Sequence, residues 1–128
     1  MRTPVETGLP GPSVPSEHAV VSNGLLYTAQ IPMKADGTIE TGSATVQTEL
    51  TLNNLKKTVE AAGGTLDDVN QVLIYLSTPD AFQEMNAVYG RFFNKPYPNR
   101  ATVVVGLLEP GMVIEIAAHA NIGNKAKS

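Results

Sequence analysis

The sequence has no cysteine and only nine lysine and arginine residues in a chain of 128. The absence of cysteine excludes disulfides, thiolate metal sites, iron–sulfur clusters and a cysteine nucleophile. Twelve aspartate and glutamate residues give a formal net charge of −3, and no basic run occurs anywhere. This charge balance argues against binding to the phosphate backbone of nucleic acids.

Long apolar segments are missing as well. No run approaches the roughly 18 apolar residues that a membrane span needs, and the opening stretch MRTPVETGLPGPSVPSE lacks the apolar core of a signal peptide. We therefore expect a cytoplasmic protein that does not act at a membrane. Hydrophobic residues make up 42% of the chain and charged residues 16%, and no internal repeat occurs, so residues 1–128 predict one globular domain.

Turn and capping signals divide the first half of the chain. Prolines concentrate before residue 16, so residues 1–16 are expected to form an irregular lead-in. Asn23-Gly24 lies within a β-rich stretch over residues 18–32 and predicts a hairpin of two short strands. Apolar residues at helical spacing predict an amphipathic helix over residues 43–62, which Gly63-Gly64 ends.

The second half predicts a strand, a helix and two further strands. The apolar run over residues 72–76 indicates a strand buried on both faces. Thr78-Pro79-Asp80 is a favourable helix start, and the helix that it begins should end near Asn94. Two strands follow, at residues 100–108 and 112–122, and a turn at residues 109–111 joins them. Residues 123–128 are expected to form a frayed tail.

The predicted order is ββαβαββ, an α+β arrangement with one sheet. Two helices can cover only one face of such a sheet. Apolar side chains point to both sides of the strand after Arg100 and of the strand containing Leu73, so the second face needs a partner. We therefore expect a homo-oligomer whose sheets pack together.

Arg100 and Glu115 are the two residues that best fit a chemical role. Arg100 lies at a loop-to-strand junction, and its planar guanidinium suits a carboxylate ligand, although a weak surface ion pair is the commoner role for an arginine. Glu115 interrupts an apolar strand. It is therefore either an outward position on an edge strand or a partly buried acid whose pKa is raised toward that of a general base.

Other residue patterns give weaker signals. His119 lies two alternations beyond Glu115 and so could line the same pocket, although a structural histidine is more frequent. Thr28-Ala29 ends the second hairpin strand, where small residues allow a ligand to approach the backbone. The histidines and carboxylates lack the spacing of metal ligands, and no phosphate-binding loop or nucleophile elbow occurs. The sequence therefore predicts neither a metal nor a nucleotide cofactor.

Several short motifs occur together in a characteristic order. They are Gln30-Ile31-Pro32, Asp36-Gly37, the helix end at 59–63, residues 86–89 with Phe92-Phe93, Pro98-Asn99-Arg100-Ala101-Thr102-Val103 and Ile114-Glu115-Ile116. Over nearly all of residues 11–122, this pattern resembles the RidA (YjgF) superfamily of small enamine/imine deaminases.

The resemblance implies a chorismate-mutase-like (RidA-like) fold and a homotrimer with ligand sites in the clefts between subunits. It also implies a cofactor-free hydrolysis of 2-imino or enamine carboxylic acids, giving the 2-oxo acid and ammonia. By position, Arg100 would hold the substrate carboxylate and Glu115 would position or activate water. The remaining substrate-binding positions that it implies are Thr28, Ala29, Asn86, Thr102 and His119.

Departures from the family pattern concern the substrate. The family often has an N-terminal tyrosine that reaches the ligand, and residues 13–18 lack it; Thr28-Ala29 and Thr102 replace a usual serine-glycine and cysteine. These differences suggest a divergent subgroup, such as a pathway-specific deaminase acting on 2-aminomuconate. Two other hypotheses are a non-catalytic trimer that binds small carboxylates, needing Arg100 but not Glu115, and an endoribonuclease or translation inhibitor, which the acidic balance disfavours.

Overall fold

The computed structural model describes residues 1–123. Its strands are β1 (Thr3–Pro4), β2 (Ala19–Ser22), β3 (Leu25–Gln30), β4 (Val69–Leu76), β5 (Asn99–Val104) and β6 (Ile114–Asn121). Its helices are α1 (Ala44–Ala61) and α2 (Phe82–Phe92), and short 3₁₀ turns at Leu66–Asp68 and Pro79–Ala81 precede β4 and α2. Apart from the short β1, this is the ββαβαββ order that the sequence predicts.

The element boundaries follow from local signals. Asn23 and Gly24 have φ values of 53° and 74°, which the two-residue turn of the β2–β3 hairpin requires. The Ser43 side chain accepts a hydrogen bond from the Val46 backbone N–H and so caps the start of α1. Thr78 caps the 3₁₀ turn that leads into α2. The hairpin and both helix starts are therefore confirmed.

The six strands form one mixed sheet in the order β1-β2-β3-β6-β4-β5. Only β4 and β5 are parallel, and β6 lies between β3 and β4. Because paired residues point to the same side of a sheet, the register assigns every strand residue to one of two faces. The two helices pack on one face, which we call the helix face, and the other is the open face.

The core lies between the helices and the helix face. Leu52, Leu55 and Val59 of α1 are completely buried there, as are Ile74 of β4 and Ile116 of β6. Along β4 and β6, the buried apolar residues of the helix face alternate with less buried residues of the open face, as expected when one side of a sheet is covered. The open face is where the structure leaves apolar surface without a helix above it.

The strand predicted over residues 72–76 is not buried on both faces. Val72, Ile74 and Leu76 are almost fully buried on the helix face, whereas Leu73 and Tyr75 on the open face are only half-buried. The continuous apolar run therefore reflects one face that packs on helices and a second face that needs another cover.

Two predicted boundaries need correction, and a third lies outside the described residues. The lead-in over residues 1–16 is not wholly irregular, because Thr3 and Pro4 pair with β2, where an edge strand tolerates a proline that donates no hydrogen bond. The strand predicted over residues 100–108 ends at Val104, because β4 ends at Leu76 and offers no further pairing partner. The predicted tail at 123–128 lies outside the described residues, except for Gly123.

Within residues 1–123, no helix is both long enough and apolar enough to cross a membrane.

Candidate functional site

Arg100 extends from edge strand β5 on the helix face, where it pairs with Val72 of β4. Its guanidinium carbon lies 4.8 Å from the centre of the Tyr89 ring and 6.0 Å from that of Phe82, both on α2. One guanidinium N–H points to the sulfur of Met85, with the nitrogen and sulfur 4.0 Å apart. The side chain is thus held by uncharged groups along one face of α2.

No carboxylate among residues 1–123 lies within ion-pair distance of Arg100; the ion pair found in that part of the chain joins Arg91 to Glu49 at 3.6 Å. A pocket of about 320 Å³ opens beside Arg100, and its lining comprises Asn86, Tyr89, Gly90, Tyr97, Pro98 and Arg100. A cation at a pocket without an internal counter-ion is suited to bind an external anion, and a guanidinium can hold a carboxylate through two parallel hydrogen bonds.

Tyr89 forms the buried wall of this pocket. It is only 6% exposed, and its hydroxyl has no hydrogen-bond partner among the described residues. Burial raises the pKa of the Tyr89 hydroxyl, and the nearby Arg100 cation opposes part of that rise. The phenol is therefore neutral near pH 7 and does not compensate the charge of Arg100.

Glu115 points to the open face from β6, beside Tyr75 of β4. It is half-buried, and within residues 1–123 it has no hydrogen-bond donor or cation as a partner. Burial raises the pKa of the Glu115 carboxyl, as expected for an acid on an apolar surface. A carboxylate with raised proton affinity and no structural partner is a candidate general base.

Arg100 and Glu115 cannot act on one small molecule within a single chain. They point to opposite faces of the sheet, and β4 separates their strands, which places β5 and β6 about 10 Å apart. Arg100 is aligned with Val72 and Glu115 with Tyr75, which adds about 10 Å along the strand direction. A site containing both groups requires a second copy of the chain.

The other candidate residues divide between the two faces. Asn86 lines the Arg100 pocket, and Thr102 points to the helix face because it pairs with Ile74. Ala29 lies on the open face opposite Ala117, the residue two positions after Glu115.

Thr28 points in the opposite direction from Ala29, because neighbouring residues of a strand alternate between faces. Its buried hydroxyl donates to the carbonyl of His18 and accepts from the Gln30 amide at 2.9 Å. The Thr28 side chain is thus part of the interior, and its backbone lies between its pairing partners Ala19 of β2 and Ala118 of β6.

His119 shares the open face with Glu115, which confirms the expected alternation. The two residues are four positions apart on one strand, a distance of about 13 Å. The His119 ring instead packs edge-on against Tyr27, with ring centres 5.0 Å apart. The structure therefore does not bring His119 into contact with Glu115.

The aromatic and sulfur contacts of Arg100 were not evident from the sequence. Phe82, Met85 and Tyr89 are spaced by three and four residues, so they form one face of α2. This spacing also describes an ordinary apolar stripe facing a core, and nothing in it marks a cation-binding surface. The arginine at the start of β5 is what gives these three residues a second role.

Gln47 fixes the chain segment that leads into the strand of Glu115. Its buried side-chain amide donates to the carbonyl oxygens of Gly42 and Gly111 at 3.0 and 2.9 Å. Its oxygen accepts from the Val113 N–H at 2.8 Å. These three bonds anchor the β5–β6 connection to the start of α1, two residues before Glu115.

In the described part of the chain, no three histidine, aspartate or glutamate side chains are grouped as metal ligands.

Residues 9–122 match the sequence model of a family described as endoribonuclease L-PSP, which is also the YjgF/RidA family. The protein belongs to this family. The match covers Arg100, Glu115 and every other candidate residue, and it confirms the resemblance found in the sequence. Membership supports a small-molecule-binding function for this Rid protein.

Solved structures of other Rid proteins share the fold. TdcF from Escherichia coli with bound serine is 30% identical, with a TM-score of 0.84, over 93% of this chain and 98% of that chain. RidA from the Antarctic bacterium Psychrobacter sp. PAMC 21119 is 29% identical, with a TM-score of 0.87, over 94% and 100% of the two chains. Yeast Mmf1 is 29% identical, with a TM-score of 0.86, over 94% and 98%.

Proposed function

We propose that this Rid protein is a cofactor-independent deaminase, which hydrolyses reactive 2-imino and enamine carboxylic acids to the 2-oxo acid and ammonia. The observation that carries this proposal is the pair of unpartnered groups: the Arg100 cation at a pocket, and the Glu115 carboxylate whose pKa is raised by burial. A small carboxylic acid with a hydrolysable C=N bond needs a cation to bind its carboxylate and a base to activate water. TdcF, a relative of similar length, binds serine, which carries an α-carboxylate next to a nitrogen-bearing carbon.

The reaction follows from the chemistry of these two groups. Arg100 binds the substrate carboxylate and orients the imine carbon, which is already electrophilic. Glu115 accepts a proton from water while the water oxygen forms a bond to that carbon. That proton then passes to the nitrogen, which gives a carbinolamine. A second proton moves from the carbinolamine hydroxyl to the nitrogen as the C=O bond forms and the C–N bond breaks, and ammonia leaves. One water is consumed and one ammonia is released, and no electrons are gained or lost overall.

Both groups meet only if two copies of the chain assemble. We propose a homotrimer in which the open faces pack together and three equivalent clefts form between subunits. Supporting this are the half-buried apolar side chains of the open face, among them Leu73 and Tyr75, and the opposite directions of Arg100 and Glu115.

Light scattering should report about three times the 13.6 kDa chain mass at micromolar concentration. Burial of the open face is the physical reason, because a monomer would leave that apolar surface in water. A stable monomer under the same conditions would contradict a site built between subunits.

The activity is tested by ammonia release from 2-imino acids, generated in the same cuvette by an amino-acid oxidase, and from the enamine 2-aminomuconate, supplied separately. The panel should extend from 2-iminopropanoate and 2-iminobutanoate to the larger 2-aminomuconate, because the Arg100 pocket measures about 320 Å³. A rate above the spontaneous hydrolysis supports the proposal, and the best substrate distinguishes a broad deaminase from a pathway-specific one.

A non-catalytic carboxylate-binding protein is the second candidate function. It is favoured because the lining of the Arg100 pocket includes neither Glu115 nor any other strand residue of the open face, so the pocket could bind a carboxylate without Glu115. Such a protein would bind stable 2-oxo acids but would not accelerate the hydrolysis of any imine, so the same panel separates the two functions.

The activity should fall in acid with a midpoint above the pKa of about 4.3 of a free glutamate. Glu115 accepts a proton only as the carboxylate, and burial raises its pKa, so protonation stops the reaction at a higher pH than for an exposed acid. The measurement is the pH profile of kcat/KM between pH 4 and 9. An acid midpoint at or below that of free glutamate would contradict the role of Glu115.

A further inference from the structure

The contacts of Arg100 share one property, which is that none of them carries a charge. Tyr89 and Phe82 present aromatic rings to the guanidinium, and Met85 presents its thioether sulfur. All three belong to α2, and we call them the neutral cradle. In the described chain, no acidic side chain joins them.

We propose that the neutral cradle, and above all Tyr89, is a positioning device that orients Arg100 for an anionic ligand without neutralising its charge. The inference rests on the proposed role of Arg100 as the carboxylate anchor. Tyr89 also lines the pocket beside Arg100, but the role proposed here is exerted through the arginine.

The chemistry of the cradle explains why a neutral partner is useful. An aspartate or glutamate would orient the guanidinium well, but it would occupy the same N–H groups that the ligand carboxylate needs. The face of an aromatic ring attracts the cation from above through its quadrupole and leaves the in-plane N–H groups free. Because burial keeps the phenol protonated, Tyr89 provides this attraction without adding a negative charge.

The Tyr89 ring, on which the guanidinium rests, is held in place by its surroundings. Tyr89 is 6% exposed and Phe93 is 4% exposed, and their rings pack with centres 4.6 Å apart. A long arginine side chain has many rotamers in solution, and resting it on a fixed ring reduces the number that must be lost when a ligand binds. Preorganisation of this kind increases affinity for the ligand.

The test compares Tyr89→Leu with Tyr89→Phe and with the matched control Phe93→Leu. The control removes a buried aromatic ring from the same cluster, but the Phe93 ring is not one of those over the guanidinium. Calorimetry with 2-oxobutanoate should show roughly 3- to 30-fold weaker binding for Tyr89→Leu. Tyr89→Phe keeps the ring and should retain most of the affinity. Phe93→Leu loosens only the packing behind the Tyr89 ring, so it should lower the melting temperature and weaken binding less than Tyr89→Leu does.

Turnover gives a second readout. A residue that acts only by orienting the carboxylate anchor should raise KM more than it lowers kcat, because the carboxylate is bound equally in the ground state and the transition state. Equal losses of ligand affinity in Tyr89→Leu and Phe93→Leu would overturn the proposal, since they would show that the effect comes from packing alone. Parent-like affinity in Tyr89→Leu would overturn it as well.

A measurement without ligand separates this inference from the proposed function. The NMR signal of the Arg100 guanidinium, assigned by its absence in Arg100→Lys, should show a ring-current shift in the parent and in Tyr89→Phe that is lost in Tyr89→Leu. If the parent neither binds 2-oxo acids nor hydrolyses imines, the proposed function fails, and this shift still decides whether Tyr89 holds Arg100. An unchanged signal in Tyr89→Leu contradicts the cradle.

Discussion

Glu115→Gln should lower the turnover of 2-imino acids by roughly two to four orders of magnitude. Glutamine keeps the volume and a hydrogen-bonding end, but its amide does not accept the proton that water must lose. Because Glu115 has no hydrogen bond or ion pair within residues 1–123, the fold should tolerate the change. Binding of a stable 2-oxo acid should survive, since Arg100 lies on the other face of the sheet.

The measurement is ammonia release from freshly generated imine, with calorimetry and light scattering on the same preparation. Glu60→Gln is the matched control, because Glu60 is an exposed acid near the end of α1, which packs on the helix face rather than the open face. Parent-like turnover in Glu115→Gln would show that the carboxylate is not the general base.

Arg100→Lys should lose most of the activity although the positive charge is kept. A lysine ammonium is a point charge that cannot form two parallel hydrogen bonds to a carboxylate, and it is more strongly hydrated than a guanidinium. Loss of a charge-assisted hydrogen bond costs about 1.5–3 kcal/mol, which corresponds to roughly 10- to 150-fold in kcat/KM.

Steady-state kinetics on the best imine of the panel measures this loss. Arg91→Lys is the matched control, because Arg91 is an exposed arginine on α2 whose ion pair to Glu49 spans 3.6 Å at the surface, and such pairs contribute little. If Arg100→Lys behaves like Arg91→Lys, then Arg100 is not the carboxylate anchor.

Much of the fold could be predicted because its signals are local. The Asn23-Gly24 turn, the Gly63-Gly64 helix stop and the Thr78-Pro79 helix start each act within a few residues of chain. Period two along β6 likewise predicted that Glu115 and His119 share a face. Such features depend on backbone geometry that a short sequence determines by itself.

The remaining features depend on pairing between distant segments. β6 lies between β3 and β4, and β5 pairs in parallel with β4 at the edge of the sheet. The length of β5 is therefore set by the end of β4 at Leu76 and not by the extent of its own apolar residues. That same register turns Arg100 toward α2. The opposite directions of Arg100 and Glu115 therefore became visible only with the strand order known.

The sequence singled out the two charged residues of the candidate site and not the residues that surround Arg100. Arg100 and Glu115 stand out because charged residues are unusual next to apolar strand residues. Tyr89 and Met85 do not, because aromatic and thioether side chains at helical spacing are what any buried helix face presents. Their second role depends on which arginine the sheet brings to them.

A mixing experiment tests most directly whether the site is shared between subunits. Arg100→Lys and Glu115→Gln are each expected to be strongly impaired. The two proteins are unfolded, combined in equal amounts and refolded, with the parent treated in the same way. A site that takes Arg100 from one copy and Glu115 from its neighbour becomes complete in about one quarter of the interfaces, because each required residue is present with a chance of about one half. The mixture should therefore recover roughly a quarter of the refolded parent's activity, whereas no gain over the average of the two separate variants would contradict a shared site.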